Sequence, residues 1–204
     1  MIAIVNYGLG NVKAFAEVYK RLDIPAVIAS KPDDLKQAAK LILPGVGAFD
    51  TAMRLLENSH LRPTLDELVL KRRLPVLGVC VGMQMLAQKS EEGSLPGLGW
   101  IDGEVKRFQL AAATNSLRLP HMGWNNIRPL EKNLLLQGLD RDARFYFLHS
   151  YFFRAYHHTD IIAVTDFDGE FACAVNHANI FGVQFHPEKS HHWGVKLLEN
   201  FARS

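Results

Sequence analysis

Short apolar runs alternate with helical patterns along the first half of the chain. Four nearly continuous apolar runs predict strands that are buried on both faces. They lie at residues 2–5, 26–28, 40–43 and 75–79. Between them, apolar side chains three or four positions apart predict amphipathic helices. These helices lie at about residues 12–22, 34–39, 51–57 and 63–70. Strands that alternate with helices in this way predict a parallel sheet covered on both faces.

The second half of the chain is richer in strands and ends in a helix at about residues 194–202. The predicted strands lie at residues 104–108, 144–147, 152–156, 161–165, 171–176 and 180–184. The predicted fold class is therefore α/β, an open, doubly wound, mainly parallel sheet with helices on both faces and an antiparallel extension. No repeat or linker interrupts residues 1–204, which predicts a single domain. In such folds, sites lie at the carboxyl ends of the parallel strands.

Composition and charge are those of a soluble globular protein. Of the 204 residues, 48% are hydrophobic and 22% are charged, and the net charge of +2 is too small to predict a nucleic-acid or membrane partner. The first residues lack the pattern of a signal peptide, and no apolar run approaches the roughly 18 residues that span a bilayer. We therefore expect a cytoplasmic protein whose two cysteines, Cys80 and Cys173, are reduced.

Cys80 is the first candidate for chemistry. It is the middle residue of the run GVCVG, which follows a predicted strand and precedes a helix expected from about Met83. Glycines on either side permit a sharp turn that exposes the central side chain, and a helix N-terminus favours the thiolate. A small buried thiol in a tight turn is the alternative for such a run. Cys173 lies inside an apolar strand and is predicted to be a core thiol.

His186 and Glu188 are the candidates for a base and the group that orients it. They lie two residues apart in the run FHPEKS, so in an extended backbone both side chains point to one side. The alternative is a histidine that ends a core strand beside a surface carboxylate. The pairs His157–His158 and His191–His192 lack the spacing of a zinc site, and neither a metal nor a cofactor is predicted.

Six separated segments carry a resemblance that runs from Met1 to Phe201. They are NYGLGN at residues 6–11, LPGVGAF at 43–49, GVCVGMQ at 78–84, PHMGWN at 120–125, FLHSY at 147–151 and FHPEKS at 185–190. With them the chain resembles the class I, triad-type glutamine amidotransferases. Within that family it is most similar to the glutaminase subunits of imidazole glycerol phosphate synthase.

The resemblance implies a Cys–His–Glu triad that hydrolyses L-glutamine to L-glutamate and ammonia. Cys80 would attack the side-chain amide to give a γ-glutamyl thioester, His186 would take the thiol proton and later activate water, and Glu188 would orient His186. The implied oxyanion donors are the backbone of Gly47 and Val81. The implied substrate contacts are Gly45, Gln84 and the backbone of Ser150 and Tyr151.

The resemblance also implies a heterodimer with a (βα)8-barrel cyclase subunit. Ammonia would pass to that subunit through a tunnel and be used to form imidazole glycerol phosphate and AICAR in histidine biosynthesis. The loop at residues 44–47 would become productive only when the partner is bound. The implied interface residues are Met122 and Trp124, in a loop at residues 120–125, with Asn11, Tyr146 and Lys189.

Three other functions compete with this one. The segments at residues 97–102 and 189–194 are similar to paralogues that supply ammonia for aminating a bacterial surface sugar. The glutaminase of pyridoxal phosphate synthesis also has a Gly-x-Cys-x-Gly turn, but carries a different loop where this chain has PGVG. A regulatory, non-catalytic subunit would have lost triad residues, whereas all three positions are filled here.

Overall fold

The computed structural model describes residues 1–109, 118–139 and 142–204. These residues form three sheets. The strands are β1 (Ile2–Val5), β2 (Ala26–Ala29), β3 (Lys40–Gly45), β4 (Val76–Cys80), β5 (Lys89–Ser90), β6 (Gly103–Arg107), β7 (His121–Asn126), β8 (Arg128–Pro129), β9 (Arg144–His149), β10 (Tyr151–Ala155), β11 (Ile161–Asp166), β12 (Glu170–His177) and β13 (Ile180–Val183).

The main sheet has eight strands in the order β2-β1-β3-β4-β13-β12-β11-β8. The first five strands in this order are parallel to one another, and β12, β11 and β8 each pair antiparallel with the strand before them. Every residue of β1 and β4 is buried, as expected for continuous apolar strands that are covered on both faces. This confirms the predicted α/β fold class. The carboxyl ends of β1, β3, β4 and β13 meet at one edge of the sheet.

Helices cover the main sheet. They are α1 (Val12–Arg21), α2 (Phe49–Asn58), α3 (Arg62–Asp66), which continues as a π-helical turn (Glu67–Lys71), α4 (Val81–Gln84) and α5 (His191–Arg203). Helix α1 buries Phe15, Val18 and Tyr19, which lie on one side of the helix, as expected for an amphipathic helix. Within the described part of the chain, no helix is both long and apolar enough to cross a membrane.

Two segments differ from the prediction. The helix expected at residues 34–39 is only a 3-10 turn, Pro32–Leu35, because the Asp34 carboxylate accepts hydrogen bonds from the N–H groups of Ser30 and Lys31 and closes a tight turn. The loop expected at residues 120–125 is strand β7. Exposed residues alternate in it with less exposed ones, and it pairs antiparallel with β9, so long-range pairing overrides the Gly and Asn residues within it.

The remaining strands form two small sheets at the same edge. Strand β10 pairs antiparallel with β6, which pairs parallel with β5, and β7 pairs with β9. The predicted strands at 104–108, 144–147 and 152–156 therefore belong to these small sheets and not to the antiparallel extension. Strand β9 continues through Ser150 into β10, so the two small sheets meet beside the carboxyl ends of the main sheet.

Candidate active site

Cys80 ends strand β4 and lies immediately before helix α4, which begins at Val81 and so two residues earlier than predicted. Its φ of 54° is positive, a conformation that costs a non-glycine residue about 1–3 kcal/mol. Such strain is typical of a nucleophile on a tight strand-to-helix turn, because the turn projects the side chain past the sheet edge. The residue is only 3% exposed, so the thiol lies within the protein and not on its outer surface.

Three glycines let this turn form against strand β3. A Cβ on Gly82 would lie 1.9 Å from the carbonyl oxygen of Leu43, and a Cβ on Gly78 would lie 2.6 Å from the carbonyl oxygen of Gly82. Gly45 pairs with Cys80 across the two strands, and its Cβ would lie 2.3 Å from the Gly82 nitrogen. These neighbours are backbone atoms that cannot swing aside, so only glycine permits the approach.

His186 is fixed by its backbone and by Glu188. Its N–H donates to the carbonyl oxygen of Tyr146 at 2.9 Å, and the Ser190 hydroxyl donates to its carbonyl oxygen at 2.6 Å. Its Nδ1 lies 3.0 Å from Oε1 of Glu188, and the two side chains are only 3% and 1% exposed. Because Nδ1 is engaged by Glu188, Nε2 is the ring nitrogen that remains to interact with Cys80.

The environment of His186 favours the charged ring. Burial acts to lower the pKa, but hydrogen bonds with Cys80 and Glu188, together with the negative charges of both groups, outweigh it and raise the pKa of His186 to about 10. The imidazolium therefore stabilises the fold fully below its ordinary value of 6.5, and this contribution is lost as the pH rises towards 10. A proton taken from the thiol is thus retained on the ring at neutral pH.

The loop at residues 44–47 runs past the thiol from the end of β3. Its first residue is anchored, because the Tyr7 hydroxyl donates to the Pro44 carbonyl oxygen at 2.7 Å. Burial, with a smaller contribution from Cys80, raises the pKa of Tyr7, so this hydroxyl stays a neutral donor. At the other end, Gly47 has a φ of 83° and nothing within 4 Å of a Cβ position. The loop is thus fixed at Pro44 and open at Gly47.

A cavity of about 310 Å³ lies over Cys80. The predicted residues that line it are Gly47, Cys80, Val81, Gln84, Ser150, Tyr151, His186 and Lys189. Gly45 lies one strand away, in β3, and Glu188 lies behind His186. The structure therefore brings the predicted catalytic and substrate-binding residues to one place.

Two polar residues of the site, Gln184 and Glu92, were not predicted from the sequence. Gln184 is fully buried, and its Nε2 lies 3.8 Å from the Cys80 sulfur, while its Oε1 accepts from Gln84 Nε2 at 3.1 Å. Its position two residues before His186 in an extended segment is a signal that could have identified it. Glu92 lines the cavity, and its Oε2 accepts from the Phe49 N–H at 2.9 Å. Burial raises the pKa of Glu92, and no pattern in the sequence marks it.

The predicted interface residues of the small sheet share one exposed surface. In the β7–β9 pairing Met122 lies opposite Leu148 and Trp124 lies opposite Tyr146. Met122 is 62% exposed and Trp124 40%. We call these four side chains the β7–β9 face. Leu148 also lines the cavity, and its carbonyl oxygen lies 3.9 Å from the Cys80 sulfur, so this face is continuous with the cavity.

The other two predicted interface residues border the same region. The Lys189 Nζ lies 5.8 Å from the centre of the Tyr146 ring, and Lys189 lines the cavity. Asn11 is exposed just before helix α1 and follows Gly10, whose Cβ position is 2.6 Å from the Pro44 side chain. Asn11 is therefore beside the loop at residues 44–47.

The arrangement suits acyl transfer through sulfur. Cys80 presents a thiol, the raised pKa of the neighbouring His186 favours a protonated ring, and the Glu188 carboxylate engages Nδ1 of that ring. Backbone N–H groups at the start of α4 and in the loop at residues 44–47 are available to a developing oxyanion. Burial of the triad keeps competing water away from these groups.

Comparisons with known proteins give matches over nearly the whole chain. The family described as glutamine amidotransferase class-I matches residues 4–204. The imidazole glycerol phosphate synthase subunit HisH of Bdellovibrio bacteriovorus is 54% identical over 202 residues, which are 99% of each chain. The same subunit of Leptospira interrogans is 52% identical, with the same coverage.

Solved structures share the fold at low identity. A crystal structure of a glutamine amidotransferase has a TM-score of 0.74 and 20% identity, over 100% of this chain and 99% of the other. A chain of PurLQS from Thermotoga maritima has a TM-score of 0.72 and 15% identity, over 99% and 97% of the two chains.

Proposed function

Because the chain belongs to the class I glutamine amidotransferase family, as an enzyme of the HisH type, we propose that it hydrolyses L-glutamine and passes the ammonia to a cyclase subunit of imidazole glycerol phosphate synthase. The observation that carries the proposal is the position of His186 between Cys80 and Glu188, beneath a cavity at the carboxyl edge of the main sheet. Full-length identity above one half to two HisH subunits supports the choice of acceptor.

The reaction follows from the protons in the site. The Cys80 sulfur attacks the amide carbon of glutamine while His186 holds the thiol proton, and the oxyanion is stabilised by the N–H groups of Val81 and Gly47. The carbon–nitrogen bond then breaks, His186 gives its proton to the leaving nitrogen, and ammonia and a γ-glutamyl thioester result. Water, activated by the now neutral His186, hydrolyses the thioester to glutamate and restores the thiol.

The cavity offers a place for each end of glutamine. The Gln84 Nε2 is committed to the Tyr151 carbonyl oxygen and to Gln184, so this side chain holds the cavity wall in place. The backbone of Ser150 and Tyr151 faces the cavity and would hold the α-carboxylate. Glu92, a half-buried carboxylate in the lining, would pair with the α-ammonium group. Gly45 would let the substrate approach the strand closely.

We assign the partner to the β7–β9 face. Met122, Trp124 and Leu148 are large apolar side chains that remain exposed on the small sheet, and Leu148 also lines the cavity. Exposed apolar side chains in one patch mark protein-binding surfaces. A (βα)8-barrel subunit docked here would cover the cavity and receive ammonia before solvent protonates it. Strand β9 also holds the base through the Tyr146 carbonyl, so docking would act directly on the site.

Product formation tests the proposal. The purified chain mixed with its cognate cyclase subunit should form imidazole glycerol phosphate and AICAR with glutamine as the nitrogen source. The control is the cyclase alone, which should need added ammonia. A stable complex that hydrolyses glutamine but yields no imidazole glycerol phosphate would contradict the acceptor and favour the surface-sugar paralogue. The two relatives that are more than half identical to this chain are both named as HisH subunits, so they do not favour the surface-sugar alternative.

Trp124→Ala tests the docking surface. We expect the Kd for the cyclase subunit to rise by about 30-fold, because a central aromatic side chain commonly contributes about 2 kcal/mol or more to an interface. Tyr156→Ala is the matched control, since Tyr156 is 45% exposed and lies outside the β7–β9 face. Isothermal titration calorimetry gives both constants. Equal affinities for the two variants would place the partner elsewhere.

A further inference from the structure

Two buried histidines beside the site have no role in the reaction described above. His121 in β7 and His149 at the end of β9 pair across the small sheet and are 5% and 6% exposed. The Nδ1 of His121 lies 3.1 Å from the Nε2 of His149. Within the described part of the chain, neither ring hydrogen-bonds with a carboxylate. The contact between the two buried rings is therefore not explained by attraction to a charged carboxylate.

The groups at the two ends determine where the protons lie. At one end, the Nδ1 of His149 lies 2.8 Å from the Tyr151 carbonyl oxygen. A carbonyl only accepts, so Nδ1 carries the proton and, in a neutral ring, Nε2 is an acceptor. His121 must then donate from its own Nδ1, which leaves its Nε2 as an acceptor as well. Both rings are thus protonated on Nδ1.

The far end of the pair supplies the donor that this order requires. The Asn125 side chain is oriented by its neighbours, because its Oδ1 accepts from the Asn126 N–H at 2.9 Å and its Nδ2 donates to the Asp166 carbonyl oxygen at 2.8 Å. The same Nδ2 lies 3.4 Å from the Nε2 of His121. Each donor in this series of hydrogen bonds meets an acceptor, and the direction of donation runs from Asn125 to Tyr151.

The surroundings keep both rings neutral. Burial lowers the pKa of His121 to about 4. Burial also lowers the pKa of His149 to about 3, and the nearby His186 acts in the same direction. The ring of His121 stacks on Phe147 and Phe167, with centroid distances of 4.8 and 4.3 Å. An apolar shell of this kind accepts a neutral imidazole and penalises an imidazolium.

We propose that His149, held in one tautomer by His121, is a positioning residue that fixes the Tyr151 carbonyl and so shapes the glutamine subsite. Tyr151 lies in the cavity wall, and its carbonyl oxygen accepts from both His149 and Gln84. Two hydrogen-bond donors to one carbonyl oxygen fix the orientation of that peptide group. This orientation determines how the backbone of Ser150 and Tyr151 is presented to the substrate. The proposal rests on the substrate site assigned above. The same line of hydrogen bonds joins the site to β7, whose outer side belongs to the β7–β9 face.

Two substitutions of His149 test the role. His149→Leu removes the donor to Tyr151, and we expect the KM for glutamine to rise about tenfold with a smaller change in kcat, as loss of one buried hydrogen bond at a binding group would give. His149→Asn retains an N–H close to the position of Nδ1 and should stay within about threefold of the wild-type KM. The assay is glutamine hydrolysis by the complex with the cognate cyclase subunit.

The outcomes are separable. Wild-type protein that releases no ammonia from glutamine contradicts the proposed function itself. Active wild-type protein with an unchanged KM in His149→Leu, or an equal rise in both variants, overturns the positioning role. If His149→Leu does not fold, the tautomers of His121 and His149 in the wild-type protein provide the test. Their ¹⁵N NMR spectra at neutral pH should show two neutral rings protonated on Nδ1. A ring protonated on Nε2, or on both nitrogens, would refute the proposal.

Discussion

Cys80→Ala is expected to abolish glutamine hydrolysis, with a loss in kcat of about 10⁴-fold or more, because no thioester forms without the sulfur. A glutamine-analogue electrophile should label the wild-type protein at Cys80 and leave this variant unlabelled. Ammonia release and peptide mapping measure the two effects. The fold should be retained, since alanine is compatible with the burial of this position.

The matched control is Cys173→Ala, because the chain has only these two cysteines. Cys173 is fully buried in β12, and burial, the largest influence, raises the pKa of its thiol, which keeps it protonated and unreactive. We expect this variant to lose about 1 kcal/mol in the free energy of unfolding and to keep the wild-type kcat. Labelling at Cys173, or ammonia release unaffected by Cys80→Ala, would refute the mechanism.

His186→Ala is expected to lower kcat by about 10²–10⁴-fold, because the thiol loses the group that takes its proton and later protonates the leaving nitrogen. The burst of thioester formation should slow by a similar factor, and rapid-quench kinetics measure its rate. The space left by the missing ring gives a second expectation. Added imidazole should restore part of the rate at a pH where it is neutral, since it can then accept the proton.

The double variant is the control for this second prediction. Combining Cys80→Ala with His186→Ala should lower kcat no further than Cys80→Ala alone, because the two groups act as a unit. Glu188→Gln should cost less than His186→Ala, since an oxygen remains for Nδ1 while the charge that raises the pKa of His186 is lost. Additive losses in the double variant, or wild-type turnover in His186→Ala, would count against the roles given to these residues.

The first half of the fold was predictable because its local signals agree with the tertiary structure. The strands β1, β3 and β4 are continuous apolar runs, and helix α1 buries the apolar stripe that its sequence shows. The position of Cys80 was predictable for the same reason, as two flanking glycines mark the turn. The 3-10 turn Pro32–Leu35 was not, because the side chain of Asp34 competes with helix formation.

The sequence by itself determined the succession of strands and helices along the first half of the chain, the turn at Cys80 and the spacing of His186 from Glu188, because each depends on neighbours in the chain. Only the tertiary structure decided which distant residues meet. It placed Gln184 beside the Cys80 sulfur, turned residues 121–126 into a strand of a small sheet, and joined His121 to His149 across that sheet. Such contacts follow from sheet pairing between segments far apart in sequence, which no local pattern specifies.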